Sequence, residues 1–315
     1  MRRRSLLATP AAAAVLSPGC AAAQQRPARA PDAAPSRERL GNLRLGANVE
    51  RWFAVASNNR PRRLGPAWWR GFKAAGFDHV RMFIPEVGQT GDGMEIPDLF
   101  RGAVADATAA GLPVLLGLAD FIKHDEPWGE REWRALAARA ALFARATDPS
   151  RVVFAPVNEA VFPDAAAWMP MRDRLLGVLR RAAPRHTLMW GGHEWGSWRS
   201  LIQNEPPPDS NTVAEVHDYE GGDAGAVEWR FGQVAAWRER HGQTVLVTEL
   251  GGAVKHREDR AAWAADLRQS LPVLRRLRMP VALWAYTYGG HWRLQPEESP
   301  APHTEFRAAL RGGGG

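Results

Sequence analysis

The sequence predicts an α/β fold in which eight parallel strands and eight helices form a single (β/α)8 barrel, also called a TIM barrel. Three observations support this prediction. Eight apolar stretches, each followed by a stretch of helical character, alternate strictly along the chain, which is the pattern of a parallel sheet. About 270 residues remain after an N-terminal segment, which is near the usual size of this barrel. No internal repeat divides them, so one domain over residues 42–312 is expected.

The predicted strands are short apolar runs that are separated from the helices by glycine and proline. In the first half of the barrel they are LRLGAN (43–48), HVRMFI (79–84), PVLLGLAD (113–120) and VVFAPVNEA (152–160). The first two helices end at Gly76 and Gly111, the third is rich in alanine, and the fourth has leucines at helical spacing. These helices are predicted over residues 67–75, 98–110, 130–146 and 168–182.

The second half of the chain repeats the same pattern of strand and helix. Its predicted strands cover residues 187–192, 212–219, 244–251 and 281–288. Its predicted helices cover residues 197–203, 226–240, 257–278 and 304–310. The alternation therefore continues to the eighth unit, and eight units are the number that closes this type of barrel.

Two of the predicted strands end in a glutamate. Residues 152–160 are apolar as far as Val157 and then carry Asn158 and Glu159, and residues 244–251 are apolar as far as Val247 and then carry Glu249. Because the C-terminal ends of parallel strands meet at one rim of a barrel, we expect both carboxylates there. A carboxylate pair is the group that glycoside hydrolysis uses. The alternative for each glutamate is a structural ion pair.

Further side chains at the predicted strand ends fit the same chemistry. A nucleophilic carboxylate has to stay ionised, which a nearby arginine favours, and a tyrosine hydroxyl can orient it. An asparagine can bind a sugar 2-hydroxyl, and a tryptophan offers a flat apolar surface to a pyranose ring. The residues expected at this rim besides the two glutamates are Arg81, Asn158, His217, Tyr219 and Trp284.

This ordered set of motifs resembles glycoside hydrolase family 5, the cellulase family, within the retaining (β/α)8 glycosidases of clan A. The resemblance rests on LGANVERWF, GFDHVRMFI, VVFAPVNEA, VHDY, VTELGG and ALWAY, which span almost the whole predicted domain. It implies Glu159 as the general acid/base and Glu249 as the nucleophile. It also implies an endo-acting enzyme on a β-1,4-linked polysaccharide or oligosaccharide, a glucan first and a mannan next. No cofactor is implied, and a monomer is expected.

The sequence departs from this family at the end of the third strand. The family has a histidine there that contacts the reacting sugar, whereas this chain has Ala119. Asp120 or His124 could take over that contact. Three tryptophans in the loops after strands three, five and eight are candidates for sugar platforms, with packing as the equal alternative: Trp128, Trp195 and Trp292.

The first 23 residues predict an export signal. Three arginines precede a short alanine-rich apolar stretch, and small residues follow at positions 21–23. The arginines also resemble a twin-arginine signal. Cys20, the one cysteine in the chain, suggests a lipoprotein site as an alternative to simple cleavage. Residues 24–41 are rich in proline, alanine and arginine and predict a disordered linker. The mature protein is thus expected in the periplasm or outside the cell.

Composition and motif spacing weigh against other classes of function. Of the net charge of +7, residues 1–41 contribute +5 (seven arginines against Asp32 and Glu38), so the domain itself is close to neutral and no nucleic-acid partner is expected. Two alternatives stay open. One is a metal-dependent barrel hydrolase, and the other is a sugar-binding barrel without activity. The histidines available to the first are His124, His193, His217 and His291.

Overall fold

A computed structural model describes residues 34–50, 53–55, 61–84, 96–287, 292–295 and 299–311 of the chain. The predicted export signal, Cys20, residues 24–33 of the predicted linker, and His291 lie outside these residues. None of the helices within the described ranges is long and apolar enough to span a membrane.

Eight strands form a closed parallel barrel, which confirms the predicted fold. In chain order they are β1 (Leu45–Asn48), β2 (His79–Phe83), β3 (Val114–Gly117), β4 (Val152–Ala155), β5 (Leu188–Trp190), β6 (Thr212–Asp218), β7 (Val245–Leu250) and β8 (Val281–Leu283). Strand β1 pairs in parallel with both β2 and β8, and these pairings close the barrel. The strands are buried on both faces, as parallel strands between a core and surrounding helices must be.

The helices lie where the sequence predicts them, with bounds that differ by up to three residues. They are Pro66–Ala74, Ile96–Ala109, Glu130–Ala146, Ala165–Ala182, Trp198–Ile202, Ala224–His241, Arg260–Arg276 and Thr304–Arg311. Aspartates cap three of them: the side chains of Asp164, Asp223 and Asp259 accept backbone N–H groups in the first turn. Such caps satisfy donors that have no partner inside the helix, which explains these starting points.

The end of the predicted linker is a helix, which corrects the prediction of disorder for that part. Helix Ala34–Gly41 precedes β1, and Leu40 at its end is buried against the apolar interior of the barrel. Arg37 donates to the carbonyl oxygens of Ser210 at 2.8 Å and Gly242 at 3.2 Å, both in loops that lead into strands. The helix therefore covers the N-terminal opening of the barrel. Its sequence shows no apolar periodicity because a single buried leucine makes the contact.

Strand β4 ends earlier than the sequence predicts. Pro156 follows β4 and has no N–H group to continue the ladder. Glu159 lies instead on a separate short strand, Glu159–Val161, which pairs in parallel with Phe121–Lys123. The predicted third strand (113–120) likewise ends early, at Gly117, and the short strand Phe121–Lys123 follows it. This small two-stranded sheet lies beyond the barrel strands, so it raises Glu159 above the barrel core.

Candidate active site

The residues predicted for the barrel rim lie together in one network of contacts. Arg81 is on β2, His217 on β6 and Glu249 on β7, while Asn158 and Glu159 follow β4. Each of these side chains contacts at least one of the others at 3.6 Å or less. The C-terminal ends of β2, β4, β6 and β7 therefore build one site.

Two donors hold the carboxylate of Glu249, one at each oxygen. Nη1 of Arg81 donates to Oε1 at 2.5 Å, and the hydroxyl of Tyr219 donates to Oε2 at 2.5 Å. Glu249 is only 3% exposed, so these donors replace water around its charge. The ring of Tyr219 lies against Gly251, where a Cβ atom would overlap with the ring. The tyrosine can reach Glu249 because position 251 is a glycine.

Glu159 has a more open environment than Glu249. Its side chain is 14% exposed, and Oε1 contacts Nδ1 of His217 at 2.8 Å. One oxygen of Glu159, one oxygen of Glu249 and one ring nitrogen of His217 all lie within 4.8 Å of one another. The two carboxylates are therefore close enough to act on the same atom of a ligand. Glu159 is more exposed to solvent than Glu249.

Arg81 connects the parts of this network. Its buried guanidinium contacts Glu215 Oε2 at 3.3 Å, the amide oxygen of Asn158 at 2.9 Å and that of Asn48 at 3.2 Å, in addition to Glu249. Burial alone would lower the pKa of Arg81, but the carboxylates of Glu215 and Glu249 outweigh burial and raise the pKa. An arginine with acceptors on several sides is a fixed cation, and it holds the site rigid.

The side chains of His217 and Tyr219 hold their protons more tightly than usual. Burial alone would lower the pKa of His217, but nearby carboxylates outweigh burial and raise the pKa to about 10. These carboxylates belong to Glu249, Glu159 and Glu215. Burial and the charge of Glu249 raise the pKa of Tyr219 well above its ordinary value. Near neutral pH, His217 is therefore an imidazolium, and Tyr219 keeps its hydroxyl proton.

Sequence reasoning did not identify three members of this network. Glu215 is 1% exposed, and its Oε2 accepts a hydrogen bond from the hydroxyl of Thr248 at 2.6 Å. Asn48 donates to the carbonyl oxygens of Thr248 at 2.8 Å and Leu283 at 3.2 Å. A signal for Glu215 does exist in the sequence. It stands two positions before His217 in an apolar strand, so the two side chains face the same side.

Two of the predicted tryptophans lie close to this network. Trp284 follows β8, is half-buried, and meets Phe83 edge-on with ring centroids 6.0 Å apart. The guanidinium of Arg81 in turn lies over the ring of Phe83, with Cζ of Arg81 4.6 Å from the ring centroid. Trp292 is tilted against the ring of Tyr219 at 5.0 Å. Both tryptophans therefore border the residues that hold Glu249.

The tryptophans of the other two loops differ in exposure. Trp195 is 47% exposed, and its ring meets the exposed ring of Phe121 edge-on at 5.8 Å. Its backbone N–H donates to the carbonyl oxygen of Ala160, next to Glu159. Trp128 is half-buried and donates to the carbonyl oxygen of Phe121 at 3.2 Å, which supports that loop from beneath. An exposed aromatic pair thus lies beside Glu159, and Trp128 has a packing contact.

The loop after β3 contains both residues suggested in place of the missing histidine. Asp120 is exposed, and its carbonyl oxygen accepts the N–H groups of Asn158 at 2.8 Å and Glu159 at 3.2 Å. His124 is exposed, and its ring packs edge-on against Phe162 at 5.6 Å. Asp120 is therefore next to Glu159 in space, whereas the imidazole of His124 is occupied by an aromatic contact.

Of the histidines of the metal-dependent alternative, the three that the structure describes are not assembled into one cluster. His193 is buried and contacts the side-chain amide of Asn204 at 3.1 Å. Within the described ranges, no group of three metal-ligating side chains includes His124 or His193. Within the described ranges, the side chains that do form such a group of three are Glu159, His217 and Glu249.

The chemistry of that group does not suit a metal ion. Nearby carboxylates raise the pKa of His217 to about 10, so a metal ion would have to compete with a proton for the lone pair of the ring nitrogen. The guanidinium of Arg81 already contacts Oε1 of Glu249. Two fixed positive charges beside the carboxylates would repel a metal cation. The arrangement fits two carboxylates that exchange protons and form bonds with a neutral ligand.

Comparisons with known proteins give one family match and a set of similar folds. Residues 65–290 match the sequence model of the family described as cellulase (glycosyl hydrolase family 5). No curated protein sequence matches the chain. Among solved structures, the endoglucanase Cel5A from the hyperthermophilic Thermotoga maritima is 18% identical, with a TM-score of 0.69 over 87% of this chain and 99% of that one.

Other solved structures share the same fold. Cellulose synthase subunit Z (CcsZ) from Clostridioides difficile is 16% identical, with a TM-score of 0.67 over 85% of this chain and 99% of that one. A tri-modular endo-β-1,4-glucanase from Bacillus licheniformis is 18% identical, with a TM-score of 0.65 over 88% of this chain and 60% of that one. The family match extends over more than half of the chain. The chain therefore belongs to glycosyl hydrolase family 5, the cellulase family.

Proposed function

We propose that this protein is a retaining, endo-acting β-glycosidase that cleaves β-1,4-linked glucan by double displacement. One observation carries the proposal: oxygens of Glu159 and Glu249 lie within 4.8 Å of each other. Carboxyl groups of retaining glycosidases are about 5–5.5 Å apart, whereas those of inverting enzymes are about 6.5–9.5 Å apart. Oxygens this close fit the shorter spacing better than the wider one, which makes room for an attacking water molecule, and this supports direct attack on the sugar by Glu249.

In the first step, Glu249 attacks the anomeric carbon of the sugar. A carbon–oxygen bond forms to Glu249 while the glycosidic bond breaks, and Glu159 gives its proton to the leaving oxygen. Each oxygen of Glu249 accepts one hydrogen bond, from Arg81 or from Tyr219, and keeps another lone pair for attack. The two donors fix the direction of the carboxylate before the sugar arrives, which favours the reaction.

In the second step, water releases the sugar from the ester. Glu159, now a carboxylate, takes a proton from the water while the water oxygen attacks the anomeric carbon. The bond to Glu249 breaks, and both residues return to their starting states. The greater exposure of Glu159 suits this role because water has to reach it.

We infer the path of the substrate from the aromatic residues around the site. Trp284 borders the side of Glu249 and offers a face to the sugar that reacts. The exposed pair Phe121 and Trp195 lies on the side of Glu159, which protonates the leaving group. We infer that this pair stacks with the leaving sugar, so the chain of the substrate extends on both sides of the cleaved bond. Such an extended substrate fits endo action.

The preference for glucan, with mannan second, is an inference from similar proteins. Cel5A from Thermotoga maritima has been solved with cellobiose and with mannotriose. At 17% identity these complexes indicate sugars to test. Ala119, in place of the usual histidine at the end of β3, leaves the reacting sugar with a different contact on that side.

The test is the release of reducing sugar from β-glucans, β-mannans and xylans. The wild-type protein is compared with Glu249→Gln and with Glu194→Gln, a matched control that changes an exposed carboxylate in the loop after β5. We expect cleavage of one polymer class by the wild type and by the control, and a loss of at least about 1000-fold in Glu249→Gln. Product anomers followed by NMR should retain the β configuration.

Two outcomes would overturn the proposal. Inversion at the anomeric carbon would remove Glu249 from the role of nucleophile. Binding of oligosaccharide without turnover by the wild-type protein would support the sugar-binding barrel instead.

We also propose that residues 1–23 direct export of the protein, with lipid attachment at Cys20 as the alternative to simple cleavage. Cell fractionation of the full chain tests export. The intact mass of the mature protein separates the two forms of processing, since a lipid adds mass to Cys20 and cleavage near residue 23 removes that residue.

A further inference from the structure

A third carboxylate lies beneath the two that are proposed to react. Glu215 is on β6, is 1% exposed, and lies on the same strand face as His217. Its Oε2 accepts from Thr248 at 2.6 Å and from Arg81 at 3.3 Å, and lies 3.8 Å from Nε2 of His217. Burial alone would raise the pKa of Glu215, but Arg81, together with the other two contacts, lowers it. Glu215 is therefore a buried, ionised carboxylate.

The two cations of the site lie unusually close to each other. Nη2 of Arg81 is 3.4 Å from Nε2 of His217. Two buried positive charges at this distance repel each other strongly unless negative charges lie beside both. Glu215 meets this requirement, because one of its oxygens contacts the guanidinium and lies near the imidazole.

The remaining charged and titratable groups around His217 come from the neighbouring strand ends. Glu159 contacts Nδ1 at 2.8 Å, and Glu249 lies 3.6 Å from Nε2. Tyr219 faces the same space and donates to Glu249. Among the residues that the structure describes, Glu159 and Glu249 join Arg81 and Glu215 in influencing the protonation of the imidazole. Glu159 and Glu249 are the two that the proposed reaction changes.

The charge count through the reaction gives Glu215 a specific role, and this count rests on the proposed double displacement. Before the reaction Glu249 is negative and Glu159 is protonated; in the ester intermediate Glu249 is neutral and Glu159 is negative. At both stages this pair supplies one negative charge against the two positive charges of Arg81 and His217. Glu215 supplies the second negative charge at both stages.

We propose that Glu215 is a positioning residue that acts as the constant counter-charge of the active site. It forms no bond to the sugar. It keeps Arg81 directed at Glu249, and it keeps His217 protonated while the charge moves from Glu249 to Glu159 and back. The site then stays electrically neutral through both steps, and neither cation has to move during the reaction.

The test is Glu215→Gln, which removes the charge and keeps the shape of the side chain. The protonation of His217 is followed by NMR in protein with isotope-labelled histidine, and His217→Gln identifies the resonance. We expect the imidazole of Glu215→Gln to lose its proton about one pH unit or more below the wild-type value. Because loss of the proton from Glu159, the proposed general acid, sets the alkaline limb of the pH profile of kcat, removal of this nearby negative charge should also move that limb to lower pH, with KM changed much less.

Glu220→Gln is the matched control. Glu220 is a carboxylate just beyond the end of β6 and is paired with Arg199 at the surface. Its loss should leave the titration of His217 and the pH profile unchanged. An equal shift in both variants, or none in Glu215→Gln, overturns the proposal.

Three further outcomes are distinguished by the NMR readout. If Glu215→Gln does not fold, Glu215→Asp has to shift the titration of His217 in the same direction, and an unmoved titration overturns the proposal. If no polymer is cleaved but the titration shifts as expected, the proposed function fails while the role of Glu215 in holding the charge of His217 stands. If cleavage occurs and the titration does not shift, only the role of Glu215 fails.

Discussion

Replacement of Tyr219 by phenylalanine should slow hydrolysis strongly and leave the barrel folded. The change removes one hydroxyl group, which donates to Oε2 of Glu249 at 2.5 Å. The aromatic ring keeps its contact with Trp292, so the packing of the rim is preserved. Because Glu249 is only 3% exposed, water cannot easily take the place of the lost donor. One oxygen of the proposed nucleophile then has no fixed direction.

The size of the effect follows from the type of hydrogen bond. A hydrogen bond to a charged group contributes about 1.5–3 kcal/mol. If that energy is lost in the transition state, the rate falls by a factor of about 10–150. We expect the loss in kcat, because the hydroxyl of Tyr219 positions Glu249 and is not proposed to bind the sugar. The assay is steady-state hydrolysis of the polymer that the wild-type protein cleaves.

Tyr286 provides the matched control for this experiment. Its hydroxyl is also buried and donates at 2.5 Å, but to the backbone carbonyl oxygen of Pro300. Tyr286→Phe should lower the free energy of unfolding by about 1 kcal/mol and leave kcat within about twofold of wild type. The reasoning is refuted if Tyr219→Phe also keeps kcat within twofold, or if both variants lose activity equally.

Three further predictions concern other parts of the chain. Gly251→Ala should lower kcat at least as much as Tyr219→Phe does, because the new Cβ atom would overlap with the ring of Tyr219. Gly232→Ala is the control: its Cβ atom would enter open space, so kcat should be unchanged in the same assay. Leu40→Ala should lower the free energy of unfolding in urea by about 2–4 kcal/mol, since Leu40 joins the helix Ala34–Gly41 to the barrel interior; a change below 0.5 kcal/mol would contradict that contact. Burial lowers the pKa of His186 to about 4, against about 6.5 in the unfolded chain. As the pH falls, the unfolded chain therefore binds a proton at His186 before the folded protein does. The free energy of unfolding of the wild type should fall by up to about 3 kcal/mol relative to His186→Gln as the pH drops from 6.5 to 4. Parallel urea titrations of both proteins against pH would show this, and identical pH dependence would contradict it.

Most of the fold could be predicted from local patterns in the sequence. Apolar runs and helical spacing are properties of neighbouring residues, so they locate the strands and helices to within a few residues. Strict alternation then leads to a parallel barrel. The helix Ala34–Gly41 was missed because one buried leucine and two hydrogen bonds of Arg37 hold it against distant loops. The end of β4 was misplaced because the short strand at Glu159 forms through pairing with Phe121–Lys123.

The candidate site could be predicted only in part, because contacts between distant parts of the chain also shape it. Glu159 and Glu249 are visible in the sequence because a carboxylate stands out at the end of an apolar run. The sequence could not show that Trp195 is exposed and that Trp128 makes a packing contact, because both residues lie in similar loops. Exposure depends on which neighbours the loop meets in space, and sequence spacing does not contain that information.

The sequence by itself determined that the chain forms a barrel, that two carboxylates meet at its C-terminal rim, and that an arginine and a tyrosine come close to them. These features depend on strand order and on which end of a strand a residue occupies. Only the tertiary structure decided that Arg81 and Tyr219 hold the two oxygens of Glu249, and that Glu215 lies beside Arg81 and His217. Those contacts depend on distances of a few ångströms between residues far apart in the chain, and on burial, which together set the charge of each group.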